Sequence, residues 1–305
     1  MARSAAAARL SRRAQCAAFA SATASAPLQA ASPPPPSVGA PIVVVAFGGN
    51  ALLKRGEPLT MEVQQRNAKT AAAAVRQLVD AGYSVCCTHG NGPQVGMLAL
   101  QDPTARLEVL DAETEGQLGF LLELELANAL QHRQVAALLT QVVVDPGDEA
   151  FQHPRKQVGP RYSKQEAEQM ARDKGWAAGI ITVCCGGGGI PVAVDGRGMR
   201  RGVEAVVDKD EASALLGIKL KADWLLMLTD AGAIYDPSGW PREQRPIPSP
   251  VKAGQLQMSF ASGSMAPKVA AACRFVTATG GKAAVGSIGD ALHILQGRAG
   301  TVIEA

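Results

Sequence analysis

The sequence predicts an α/β protein whose mainly parallel sheet is covered on both faces by helices. From residue 42 onward, short apolar strand patterns alternate with stretches of helical spacing, the order that parallel crossovers require. Three of those strands also run directly into glycine: 43–47 into Gly48-Gly49-Asn50, 83–88 into His89-Gly90-Asn91-Gly92-Pro93, and 180–185 into Gly186, Gly187, Gly188 and Gly189. A flexible linker sits among polar residues. Glycines wedged between buried-strand patterns instead mark backbone that must approach a ligand, and three such loops point to one anion site at the carboxyl edge of an open sheet.

In order, the first strand and its loop precede a helix over 61–81, rich in Ala and Gln and stopped by Gly82. The strand 83–88 leads to a second helix over 112–131, where Leu118, Leu121, Leu122, Leu126 and Leu130 form the apolar stripe. Glu113, Glu115, Glu123 and Glu125 fill its polar positions. A strand is expected over 135–144, a short polar helix over 163–174, the strand 180–185 and, after the glycines, a loop with Asp195, Arg197, Arg200 and Arg201. The remainder reads as helix 209–221, strand 223–229, helix 265–278, strand 282–286, helix 289–297 and a terminal strand 301–303. The proline-rich stretch 237–250 is an extended surface connection. No internal repeat is evident.

Residues 1–40 differ in kind. They carry Arg3, Arg9, Arg12 and Arg13, no acidic residue, and a run of proline over 33–36, which reads as an organellar transit peptide and stiff spacer. A plastid or mitochondrial destination is expected, with a cytoplasmic one as the alternative. Without those four arginines the chain has 26 basic against 27 acidic residues, so no nucleic-acid or membrane surface is implied. Cys86, Cys87, Cys184, Cys185 and Cys273 lack zinc spacing and fit buried small hydrophobes in a reducing compartment.

A glycine-lined anion site performs phosphoryl transfer only when cations neutralise the charge on the transferring group. Lys209 stands at a strand-to-helix switch beside Asp208 and Asp210. Lys268 follows Gly263 and Ser264 and has Pro267 in the same first turn, and Lys156 lies in a polar loop. A cation at a helix N-terminus is electrostatically unfavourable and needs a reason. Asp210 supplies one by holding lysines in place, although Asp208 and Asp210 also fit plain helix caps. His89 is assigned no proton chemistry. There is no Walker-type Gly-Lys-Ser/Thr loop and no dinucleotide fingerprint.

Eight strings, VVVAFGGNAL (43–52), HGNGPQVG (89–96), TEGQLGF (114–120), LTQVVVDPGDEAF (139–151), CGGGGIPV (185–192), VEAVVDKDEAS (203–213), LLMLTD (225–230) and GSMAPKVAAACRFV (263–276), closely resemble the carbamate kinases of the amino-acid kinase superfamily. The resemblance covers about 42–305. It implies a three-layer αβα sandwich around an open, mainly parallel sheet, usually a homodimer. It also implies reversible phosphoryl transfer between carbamoyl phosphate and ADP, giving ATP and carbamate, with Mg²⁺, as at the end of arginine catabolism.

On this reading a single kinase domain spans 41–305, with a carbamoyl-phosphate half over 41–207 and a nucleotide half over 208–305. Gly48, Gly49, Asn50, Gly90, Asn91, Gly186, Gly187 and Gly188 surround the phosphoryl donor. Lys209 and Lys268 stabilise the transition state, Asp210 orients them, and Lys156 reaches in from an arm over about 146–178. Thr229, Asp230, Ser264 and Met265 join the two lysines at the nucleotide. Relatives acting on amino-acid carboxylates resemble Lys-x-Gly-Gly at the first loop, where this chain has Ala46, so a second cation such as Lys156 is required.

The arm departs from the family in being short, since Trp176 is joined almost directly to Gly179 and Ile180. Two alternatives follow, another acylphosphate-forming amino-acid kinase, or a catalytically weak member that binds nucleotide or carbamoyl phosphate as a sensor or dimer partner.

Overall fold

The computed structural model describes residues 39–48, 52–53, 56–102, 104–131, 133–145, 147, 181–236, 245–256 and 265–305. All fall within one compact unit, Pro33–Ala305. The transit-peptide reading of 1–40, except at its last two residues, the polar helix over 163–174, Lys156 and most of the arm lie outside the described residues.

Its centre is an eight-stranded sheet. In chain order the strands are β1 (Ile42–Phe47), β2 (Ser84–His89), β3 (Val135–Ala137), β5 (Ile181–Val183), β8 (Trp224–Thr229), β9 (Val251–Lys252), β10 (Lys282–Ser287) and β11 (Thr301–Glu304), arranged spatially as β3-β5-β2-β1-β8-β10-β11-β9. Every pairing is parallel except β10 with β11. The helices are α1 (Met61–Asp80), α2 (Gly92–Gln101), α3 (Leu107–Ala129), α4 (Lys209–Leu220), α5 (Met265–Thr279) and α6 (Ala291–Leu295).

The alternation of β1 shows the three layers directly, because successive strand side chains point to opposite faces. Val43, Val45 and Phe47 pack with Ala71, Val75 and Leu78 of α1, Leu118 and Leu122 of α3 and Ile294 of α6. Val44 and Ala46 pack with Ala214 of α4 and Ala272, Phe275 and Val276 of α5. A strand buried on both faces reads as the unbroken apolar run seen in the sequence.

A second sheet has three strands, β4 (Gln141–Val143), β6 (Ile190–Val194) and β7 (Arg200–Gly202), in the order β4-β6-β7. The expected single strand over 135–144 is therefore two short strands in different sheets. Leu138 donates its N–H to Val183 O in the main sheet, whereas Thr140 O accepts from the Ile190 N–H in the small one, so the chain changes sheets at 138–140. The arginine loop expected at 195–201 is the tip and return strand of a β6–β7 hairpin.

The loop expected after His89 becomes helix α2, with Pro93 in its first turn, where the missing N–H costs nothing. Helix α3 starts at Leu107 rather than 112, and Glu115 and Glu125, expected on its polar face, are buried along with Glu108 and Asp111. The expected helix over 289–297 divides into a 3₁₀ turn, Ile288–Asp290, and the short α6.

Candidate active site

The carboxyl ends of the central strands converge on one edge. Gly48, after β1, donates its N–H to Leu228 O of β8 at 2.9 Å, and Gly90, after β2, donates to Phe47 O at 3.1 Å. Thr88 and Ser213 hydroxyls meet at 2.6 Å, and Ser213 donates to the Lys209 carbonyl at 2.5 Å. The end of β2 is thereby fastened to the first turn of α4.

Asp208 caps α4, its carboxylate accepting the Asp210 N–H at 2.9 Å. The same turn presents Lys209 and Asp210, and α5 brings Lys268 from the opposite side. Both ammonium groups meet one oxygen: Lys209 Nζ lies 3.3 Å and Lys268 Nζ 3.0 Å from Asp210 Oδ2. Asp210 and Lys268 are each only 2% exposed. Burial works to raise the Asp210 pKa, but the two lysines outweigh it and hold the carboxyl below its usual range. Burial depresses the Lys268 pKa, with Asp210 opposing the shift. Burial also acts against the charge on Lys209, yet Asp210 and Asp208 raise its pKa overall. The outcome is two ammonium groups held on one oxygen of the buried Asp210, with Asp208 beside them, at the edge where the loops end.

The glycine cradle is a 3₁₀ turn, Gly186–Gly188, entered through Cys185 in the left-handed region at φ 50°. Four of the five amides from 185 to 189 have protein acceptors. Cys185 N–H donates to Thr140 Oγ1 at 2.6 Å, Gly186 N–H to Glu115 Oε1 at 2.9 Å, Gly188 N–H to Cys185 O and Gly189 N–H to Gly186 O, both at 3.0 Å. The Gly187 amide is the fifth. Side chains here are sterically excluded, since a Cβ on Gly186 falls 2.4 Å from His89 Nε2 and one on Gly187, at φ 68°, falls 2.3 Å from Asn91 Nδ2.

Asn91 is fixed in turn by α3: its Nδ2 donates to Asp111 Oδ1 at 3.1 Å and to Thr114 Oγ1 at 2.9 Å. One turn further along, Glu115 accepts from Thr140 Oγ1 at 2.6 Å as well as from the Gly186 N–H. Burial drives both carboxyls up, each to about 7. His89, 1% exposed, has neither ring nitrogen hydrogen-bonded, and burial lowers its pKa to about 4, so it is neutral at physiological pH.

The structure thus brings together Gly48, Gly90, Asn91, Gly186, Gly187, Gly188, Lys209, Asp210 and Lys268. Thr229 closes the same edge, its hydroxyl 2.9 Å from Asp230 Oδ1 and 3.8 Å from the Cβ position of Gly48, and Met265 opens α5. Gly49, Asn50, Lys156 and Ser264 lie outside the described residues. Sequence reasoning missed Glu115, Asp111 and Thr140 as supports of the cradle. The signal for the two acids was available, because 111 and 115 share the α3 face that also carries the buried leucines 118 and 122.

A profile of the amino acid kinase family matches residues 41–287, and the chain belongs to that family. Within it the similarity is to carbamate kinases. The carbamate kinase of Rhizobium meliloti (strain 1021) is 42% identical over 307 residues, covering 86% of this chain and 93% of the relative. That of Haemophilus influenzae is 41% identical, covering 86% and 96%. Carbamate kinase from Giardia lamblia bound to AMP-PNP superimposes with a TM-score of 0.79 at 32% identity, covering 87% of this chain and 99% of that one. The alignment with the Rhizobium protein is longer than the share of this 305-residue chain that enters it, so the relative carries residues that this chain lacks.

Proposed function

We propose that this chain is an ATP:carbamate phosphotransferase, moving a phosphoryl group reversibly between carbamoyl phosphate and ADP. The observation that carries the reading is the pair of lysines on one oxygen of Asp210, at the edge where the glycine loops end. A β-phosphate oxygen of ADP attacks the phosphorus of carbamoyl phosphate. The new O–P bond forms as the carbamoyl C–O–P link breaks at phosphorus, and carbamate departs with the electron pair. No protein nucleophile is needed. The chain's task is to align the two anions and stabilise the in-line transition state. Lys209 and Lys268 neutralise charge on the transferring group while Asp210 keeps them from collapsing onto the substrate. The Gly187 amide serves as a donor to the phosphoryl oxygens.

Mg²⁺ supplies charge neutralisation on the nucleotide phosphates when bound. Among the described residues no cluster of three or more His, Cys, Asp or Glu exists that could hold a metal ion, and Oδ2 of the buried Asp210 already holds two ammonium groups. The residues therefore suit a cation carried by the nucleotide rather than a protein-held ion.

Further proposals concern the setting. The basic, acid-free leader supports import into a plastid or mitochondrion, and the reaction suits the ATP-yielding end of arginine catabolism. Val109 and Phe120, 47% and 59% exposed on α3, with Leu139 at 61%, support a homodimer through that face. Coupled formation of ATP from ADP plus carbamoyl phosphate tests the reaction, with acetyl phosphate, and ATP plus acetylglutamate, as the competing substrates. A second reading, a weak enzyme that chiefly binds nucleotide, is favoured by the short arm. It predicts ADP binding without appreciable turnover.

A further inference from the structure

We propose that Glu115 is the positioning residue of the glycine cradle, fixing the loop that receives the phosphoryl donor, so that donor affinity follows the ionisation of this one carboxyl. This rests on the carbamate kinase reading of the site. Glu115 does not touch the reacting atoms. It acts through Gly186 and Thr140, and the geometry explains how.

Every partner of Glu115 is a donor. Thr140 Oγ1 lies 2.6 Å and Gly186 N 2.9 Å from Oε1, and Thr140 N lies 3.2 Å from Oε2. The Thr140 hydroxyl accepts the Cys185 N–H at 2.6 Å, so its own proton is directed at Glu115. This acceptor-only setting suits a carboxylate, because a protonated acid brings an O–H that finds no acceptor there. By binding Gly186 N–H and, through Thr140, Cys185 N–H, the carboxylate selects the turn that leaves Gly187 N–H available. It also holds the chain at the point where 138–140 passes between the two sheets.

The groups facing Glu115 are Asp111, one turn away on α3, His89 at the end of β2, and Cys184 and Cys185 at the end of β5. Burial lowers the His89 pKa to about 4. Cys185 is pushed well above the usual thiol range by its hydrogen bond with Cys184 and by burial, and Cys184, although its bond with Cys185 works to lower it, is pushed up by Cys86 and by burial. These three stay neutral near pH 7, and Asp111 is the one competitor for charge. Asp111 has a single side-chain donor, from Asn91, and its Oδ2 is buried without a partner. Glu115, with the fuller set of donors, ionises first and Asp111 keeps its proton. Burial, opposed by the hydrogen bonds from Thr140 and Gly186, places this ionisation at about 7. The sign follows: below that pH the carboxyl is protonated and the cradle loosens, and above it the cradle is held.

The test is the pH dependence of KM for carbamoyl phosphate and of kcat, from pH 6 to 9, in the wild type, Glu115→Gln and Glu115→Ala. The wild-type KM is expected to fall by about tenfold per pH unit at most on approaching the ionisation from the acid side, then level off. In Glu115→Gln, which keeps an acceptor oxygen for Gly186 and Thr140, that fall disappears while plateau kcat stays within about threefold. Glu115→Ala is expected to raise KM by about tenfold or more with KM for ADP unchanged. A Glu115→Gln profile that follows the wild type overturns the proposal, as does a folded Glu115→Ala with wild-type KM. If Glu115→Ala does not fold, the glutamine variant alone decides. Failure of the parent reading looks different, since the wild type then makes no ATP from carbamoyl phosphate at any pH.

Discussion

Asp210 resolves an apparent conflict at the residue scale: two lysines in helix first turns, each repelled by its own helix dipole, share one buried oxygen. Their charge matters most while the phosphoryl group is in flight. Lys209→Ala and Lys268→Ala are therefore expected to lower kcat by about 10²–10³ while changing ADP affinity far less, and turnover within a factor of about two of wild type rejects the assigned role. Glu115 and Asp111 leave a second signature, in stability. Their pKa values are raised on folding, so between the unfolded values near 4 and about 7 the native state holds the extra protons, and stability declines as pH rises through that window. His89 works the other way, with a depressed pKa that removes stability as pH falls from about 6.5 to about 4. Glu115→Gln should accordingly lose less stability than wild type between pH 5 and pH 8, which thermal unfolding at the two pH values measures. Lys209, Asp210 and Lys268 were legible in the sequence because each stands at a turn signal. Glu115 was overlooked: its place on the α3 face of Leu118 and Leu122 marks it as buried, but its role depends on Thr140 and Gly186, partners across the fold that the sequence does not mark.

The elements most visible in sequence were those buried on both sides, because β1, β2 and β8 are continuous apolar runs and their ends were found to within a residue. What sequence concealed was the change of sheet at 138–140. An apolar run over 135–144 carries no mark of the crossing, which depends on hydrogen bonds to Val183 and Ile190 supplied from elsewhere. Helix α2 was obscured by its glycines and Pro93, which read as loop residues although they suit a helix start. The packing of α4 and α5 on β1 offers a stability test. Phe275 is fully buried, and its ring sits against the place where a Cβ on Gly217 would stand, 2.9 Å from Cε2. Phe275→Ala should cost about 3–5 kcal/mol in chemical denaturation through the cavity it leaves, with kcat of the folded fraction preserved.

Over the whole molecule, changes to residues 1–38 and to the stretch after Trp176 test folding and activity separately. Deleting residues 1–38 is expected to leave the melting temperature unchanged, since the described fold begins at β1, and a large loss overturns the transit-peptide reading. Restoring a family-length insertion after Trp176 should raise turnover without altering ADP affinity, because it affects closure over carbamoyl phosphate rather than the nucleotide. A chain that already matches a full-length relative at saturating carbamoyl phosphate shows that the arm is not limiting. The central position of β1 has one more consequence. Its neighbour on one side, β2, follows closely, but on the other side Val43 pairs with Trp224, which the ribosome adds only after about 10–40 s of further synthesis at ordinary elongation rates. For that interval the most hydrophobic strand of the nascent chain has an open edge, with its N–H and C=O groups available to any other extended segment. A polypeptide arrested before residue 224 should therefore aggregate or be retained by chaperones, whereas release after β8 has emerged allows the edge to close.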